Sequence, residues 1–181
     1  DEITYFIWRT CLFGAEQFWH GILPHNGVPG RRYSEIQETI QILTPVMDDI
    51  HGIVQKAQAG ILFSYENEWA IRLQPQNPGL KYDEVVFKYY KEFYKHNITV
   101  DFVASGADLG KYRILVAPLL YLMTPELEKR LEKYVKDGGI LILTMRTGVM
   151  NNNNVCMSEN PLPGKLAAIV GAKVEEYDSL Y

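Results

Sequence analysis

The chain has 181 residues and a mass of 20.8 kDa, with 47% hydrophobic residues and a formal charge of −4 from 18 basic and 22 acidic side chains. That apolar share can bury the core of one domain or one and a half, which excludes disorder as the main state. No apolar run approaches the roughly 18 residues a membrane span needs, no basic stripe is available to neutralise a phosphate backbone, and the start lacks the basic and small-residue features of a signal peptide; a soluble protein with neither membrane nor nucleic acid as partner is expected.

Taken in chain order, residues 3–8 are β-branched and aromatic and predict a strand. Residues 10–32 hold Gly14, Gly21, Gly27 and Gly30 with Pro24 and Pro29, a long loop with little periodicity and therefore a candidate functional loop. Ser34 with Gln37 predicts a capped helix start whose apolar face is Ile36, Ile40 and Leu43, and Thr44-Pro45 predicts a restart carrying Val46, Met47, Ile50 and Val54 onward. The polar, small stretch 55–60 predicts a boundary between two units, 1–56 and 57–181.

Beyond it, short apolar runs alternate with amphipathic helices. Strands are predicted at 61–65, 98–103, 112–117 and 140–143, and helices at 82–96 and from Thr124-Pro125 to the stop at Gly138-Gly139, with a last short helix at 162–170. Fully apolar strands separated by helices predict a doubly wound α/β unit, its mostly parallel sheet covered on both faces. The four asparagines 151–154 read as a surface loop.

Chemistry-bearing residues are few. Cys11 and Cys156 have no CxxC or Cys/His spacing and no glycine-flanked elbow, which predicts neither disulfide nor zinc nor thiol nucleophile and fits a reducing cytoplasm; the four histidines lack metal spacing, and no cofactor is implied. Gly138-Gly139 precedes a strand instead of following one, so it is a helix stop and no dinucleotide fingerprint. Tyr65-Glu66-Asn67-Glu68-Trp69 offers two carboxylates at a predicted strand end, but a glycosidase pair draws its acids from separate strands, and a structural or interface role is favoured. Trp8-Arg9 and Glu16-Gln17-Phe18-Trp19-His20 combine aromatic platforms with hydrogen-bonding groups, the composition of a sugar site, because a pyranose has an apolar face and a rim of hydroxyls.

The runs Phe6-Ile7-Trp8-Arg9, then Gly14 through His25 and Gly30-Arg31-Arg32-Tyr33, resemble the end of the catalytic barrel of glycoside hydrolase family 42 β-galactosidases. Residues 61–69, Val116-Ala117-Pro118, Gly138-Gly139 and Thr144-Met145-Arg146-Thr147-Gly148 resemble that family's trimerisation domain, itself similar in fold to flavodoxin-like proteins and class I glutamine amidotransferases. The resemblance implies the last strand, loop and helix of a (β/α)₈ barrel over 1–56 and a trimerisation domain, truncated at its end, over 57–181. It implies a retaining enzyme acting on terminal β-D-galactosides, a homotrimer, and two catalytic glutamates upstream of Asp1, so that these residues would not hydrolyse a galactoside alone. Glu16 would contact galactose hydroxyls, Trp19 and His20 compete for a second contact, and Trp8 and Arg9 would flank the site. No cysteine stands at the amidotransferase nucleophile turn, where Met145-Arg146-Thr147 lies. A stand-alone α/β binding module, using Glu66, Glu68 and Trp69 or the Trp19 loop, is the competing reading.

Overall fold

A computed structural model describes residues 4–158 and 160–178, apart from the Asp48 side chain. Its backbone divides into two compact units, Asp1–Val54 and Gln55–Tyr181.

In the first unit, residues 4–8 form no strand, contrary to expectation; Ile3 lies outside the described residues. A barrel strand needs neighbours on both sides to complete a ladder, and among the described residues the backbone of 7–10 pairs only with that of 22–23. Ile22 N donates to the Ile7 carbonyl, Leu23 N to Trp8, and Thr10 N back to Leu23, leaving one parallel bridge between Arg9 and Leu23. Helix α1 (Arg31–Ile50) begins three residues before Ser34, at Gly30 and without a side-chain cap, so the predicted Ser34 capping box is not used. Nor does the helix break at Pro45, which sits inside it. Proline removes one N–H from the ladder, while Thr44 donates its hydroxyl to the Ile40 carbonyl at 2.7 Å in that same turn. The apolar face of α1 forms as expected as far as Ile50, where the helix ends, so Val54 does not extend it, and Ile40, Leu43, Val46, Met47 and Ile50 all remain exposed.

The second unit runs β1 (Ala59–Leu62), α2 (Tyr65–Leu73), α3 (Tyr82–Lys95), β2 (Val100–Val103), β3 (Ile114–Ala117), α4 (Pro125–Lys136), β4 (Ile140–Leu143) and α5 (Ala167–Val170). All strand pairs are parallel, in the order β2-β1-β3-β4, so the doubly wound α/β prediction holds in its flavodoxin-like form. Side chains alternate between the two faces. Leu62, Val103, Leu115 and Ala117 pack with Leu127, Leu131 and Tyr134 of α4. Ile61 and Val116 pack with Ala70 and Ile71 of α2 and with Tyr82 and Val86 of α3. Each fully buried aliphatic side chain contributes about 1.5–3 kcal/mol.

Two expectations are corrected here. The strand predicted at 61–65 ends at Leu62, and residues 65–69 begin a helix, because the Ser64 hydroxyl accepts from Asn67 N and caps it. The sheet is not covered throughout, since Phe102 on β2 and Ile140 and Ile142 on β4, the two outer strands, are exposed. Helix α4 starts as predicted, with Thr124 as cap and Pro125 in its first turn.

Candidate functional site

The loop of residues 10–30 is held by its own polar groups. Buried Thr10 does most of this: its hydroxyl donates to the Leu23 carbonyl at 3.0 Å and accepts from Gly21 N at 3.0 Å. The two chain segments meet so closely that a Cβ on Gly21 would lie 2.8 Å from the backbone of Arg9 and Thr10. Arg9 forks onto the His25 carbonyl through Nε at 3.1 Å and Nη2 at 2.7 Å. His25 Nε2 bonds the Gln17 carbonyl at 2.7 Å, tying the far limb of the loop to its near one. Arg32, in the first turn of α1, donates to the Gly21 carbonyl at 2.7 Å.

The five residues expected to contact sugar are placed differently from one another. Trp8 packs edge-on against Tyr33, ring centroids 6.2 Å apart. Arg9 spends its guanidinium on the loop backbone, as above. Glu16 and Trp19 stand on a turn closed by Trp19 N donating to the Glu16 carbonyl at 3.0 Å, with both side chains exposed. His20 is exposed and lines two shallow cavities of about 380 and 250 Å³, shared with Ile22 and Arg32. Among the described residues no side-chain hydrogen bond or ring contact joins any two of the five. The loop thus presents aromatic faces, one carboxylate and one imidazole to solvent on a backbone frame that Arg9 helps to build. Thr10, Gly21, His25 and Arg32 complete that frame, and none of them was assigned this role from the sequence, although Gly21, His25 and Arg32 lie in the runs that carry the family resemblance; for Thr10 a hydroxyl next to Trp8-Arg9 was the available signal, because a hydroxyl both donates and accepts at one atom.

In the second unit, the carboxylates of residues 66 and 68 are already engaged. Ser64 donates its hydroxyl to Glu66 at 2.7 Å and holds that carboxyl below its ordinary value, while Glu68 faces Arg72 at 3.6 Å. An acid stabilised as its anion is a poor proton donor at neutral pH. Trp69 stacks on Tyr65 at 6.2 Å. Buried Asn67 accepts from Leu122 N at 2.7 Å and so ties α2 to the loop after β3. Between these loops lies a cavity of about 380 Å³ lined by Ser64, Glu66, Asn67, Ser105 and Thr124. It sits at the carboxyl ends of β1 and β3, where the connections leave the sheet in opposite directions and ligands of such folds are usually found.

Comparison with known families gives the frame for both units. The β-galactosidase family model matches residues 1–46, and the model described as the β-galactosidase trimerisation domain matches residues 57–181. The chain belongs to the glycoside hydrolase family 42 β-galactosidases. It is 36% identical over 180 residues to β-galactosidase BgaA of Clostridium cellulovorans, covering 99% of this chain and 27% of that one. To β-galactosidase BgaB of a Geobacillus species it is 37% identical over 180 residues, covering 98% and 26%. The crystal structure of a β-galactosidase from Bacillus circulans sp. alkalophilus superposes with a TM-score of 0.87 at 30% identity, over 96% of this chain and 26% of the other. This family 42 chain therefore spans about a quarter of the length of the relatives it matches. Among its described residues, no helix is long and apolar enough to cross a membrane.

Proposed function

We propose that the chain is part of a cytoplasmic, retaining β-galactosidase acting on terminal β-D-galactosides, with residues 57–181 serving as the scaffold of a homotrimer. The observation that carries this reading is the ordered match of two β-galactosidase family models, over 1–46 and then 57–181. A retaining glycosidase needs two carboxyl groups about 5–5.5 Å apart across the scissile bond. Glu66 is committed to Ser64 and Glu68 to Arg72 on a single helix, so the reacting pair is assigned to the part of the parent enzyme that these 181 residues do not include. The chain by itself is then inactive.

Its contribution to the substrate site is the 10–30 loop. There the Glu16 carboxylate accepts from sugar hydroxyls, Trp19 or His20 supplies the second contact, and Trp8 offers an apolar surface beside them. Arg9 contributes by holding the loop through the His25 carbonyl. Incubating the chain with a nitrophenyl β-D-galactoside tests the inactivity directly: no release above the uncatalysed rate is expected, and turnover abolished by Glu66→Gln would overturn the assignment of the reacting acids.

The cavity at the ends of β1 and β3 favours a second reading, a small-molecule-binding module without catalysis. Galactose-induced NMR shifts separate the two. Shifts centred on residues 16–20 support the proposed subsite, whereas shifts confined to residues 64–67 and 120–124 support the binding module.

A further inference from the structure

The cavity of about 380 Å³ at the carboxyl ends of β1 and β3 carries polar groups that the fold itself does not use up. Part of its lining is apolar, from four leucines and the half-buried Phe63 ring. Two of its polar residues are spent on structure. The Ser64 hydroxyl caps α2 and donates to Glu66, and buried Asn67 accepts from Leu122 N. The others keep capacity. The Thr124 hydroxyl accepts from Leu127 N at 3.1 Å, which leaves its own proton to give. Among the described residues, the Ser105 hydroxyl and the Asn152 amide have no hydrogen-bond partner. A carboxylate offers about four lone-pair sites, and Ser64 fills one of those on Glu66.

Charge then selects the class of ligand. Glu66 is the one charged side chain among the described residues of the lining, so an anion would meet a carboxylate with no basic group to offset it. A cation would meet the amino-terminal ends of α2 and α4, which both start at this cavity; their partial positive charge favours the Glu66 anion and opposes an ammonium group. A neutral molecule bearing hydroxyls fits both constraints, because a hydroxyl can donate to Glu66 and accept from Thr124, Ser105 or Asn152. The volume lies at the lower end of the roughly 300–1,000 Å³ of ligand pockets, room for one sugar ring and not for a chain of them. We propose that this cavity binds a neutral polyol of monosaccharide size, its hydroxyls held by Glu66, Ser105, Thr124 and Asn152 and its apolar face set against Phe63; the proposal rests on the reading of the cavity as a small-molecule site given above.

The test is an NMR titration of the full 181-residue chain with probes alike in ring and different in charge: galactose and glucose as neutral rings, galactosamine as the cation, galacturonate as the anion. A neutral probe should shift the amides of residues 64–67, 105 and 120–124 saturably, and both charged probes should bind there about tenfold more weakly or worse, the scale of one hydrogen bond to a charged group lost or opposed. Shifts at residues 16–20 report the loop of the first unit and have no bearing on the cavity. Saturable cavity shifts that are as strong with a charged probe keep the cavity as a binding site but overturn the neutral polyol as its ligand. No cavity shift with any of the four overturns the polyol and the binding site together. Glu66→Gln, checked for folding by circular dichroism, should weaken the neutral probe at the cavity about tenfold, and a folded variant that binds it unchanged contradicts the proposal. The comparison of probes needs no substitution and decides even where the variant does not fold.

Discussion

Thr10 and Gly21 show how a loop rich in glycine and proline keeps a shape. The hydroxyl of Thr10 closes one hydrogen bond in each direction, and Gly21 lets the returning segment come close enough to make them. Gly21→Ala would drive a Cβ into backbone that cannot move aside, so it should destabilise the first unit by about 1–3 kcal/mol, read as an earlier denaturant midpoint for Trp8 and Trp19 fluorescence. Ser64 has a comparable double use in the second unit, capping α2 and donating to Glu66. Glu66 is held below its usual 4.5 by Ser64. The stability this contributes is complete above pH 4.5 and is lost as pH falls through the lowered value. Ser64→Ala should therefore raise the Glu66 titration midpoint, followed by carboxyl NMR, and cost about 1 kcal/mol of stability at neutral pH through the lost cap.

Helices α3 and α4 and strand β4 were legible because their signals are local: apolar spacing, a Thr-Pro start, and glycines at the stop. The stop also held more than its sequence revealed. Gly138 takes φ 97°, the helix-ending conformation, but Gly139 is needed for another reason, since a Cβ there would lie 2.3–2.6 Å from the Tyr134 ring. Gly139→Ala should displace that ring from the core and cost about 1–3 kcal/mol, measured by urea denaturation. Elements whose form depends on distant partners were read less well. Residues 3–8 have strand composition, but a barrel strand is made by its neighbours, and the described part of this segment pairs only through Arg9 and Leu23. Helix α2 hid inside a β-rich run, because Phe63 and Tyr65 favour strands while Ser64 between them is a cap. Of the candidate site, the loop and its outward side chains were visible in the sequence. The frame that holds them was not, since its side chains from Arg9, Thr10, His25 and Arg32 reach backbone groups whose positions no residue pattern announces, the Thr10 hydroxyl being the one local hint.

Across the whole chain, each unit keeps apolar surface that its own elements do not cover. Helix α1 exposes Ile40, Val46, Met47 and Ile50, and the second unit exposes Phe87 and Tyr94 of α3 together with Ile140 and Ile142 of β4. The match of residues 57–181 to the trimerisation-domain model makes association, more than catalysis, the property proposed for the second unit. The molar mass in solution tests that most directly. Light scattering over a tenfold concentration range should give a constant three chain masses, because a committed trimer neither dissociates nor grows within it. A single chain mass throughout, or a mass that climbs without a plateau as nonspecific patches stick, would contradict the claim that residues 57–181 build a homotrimer.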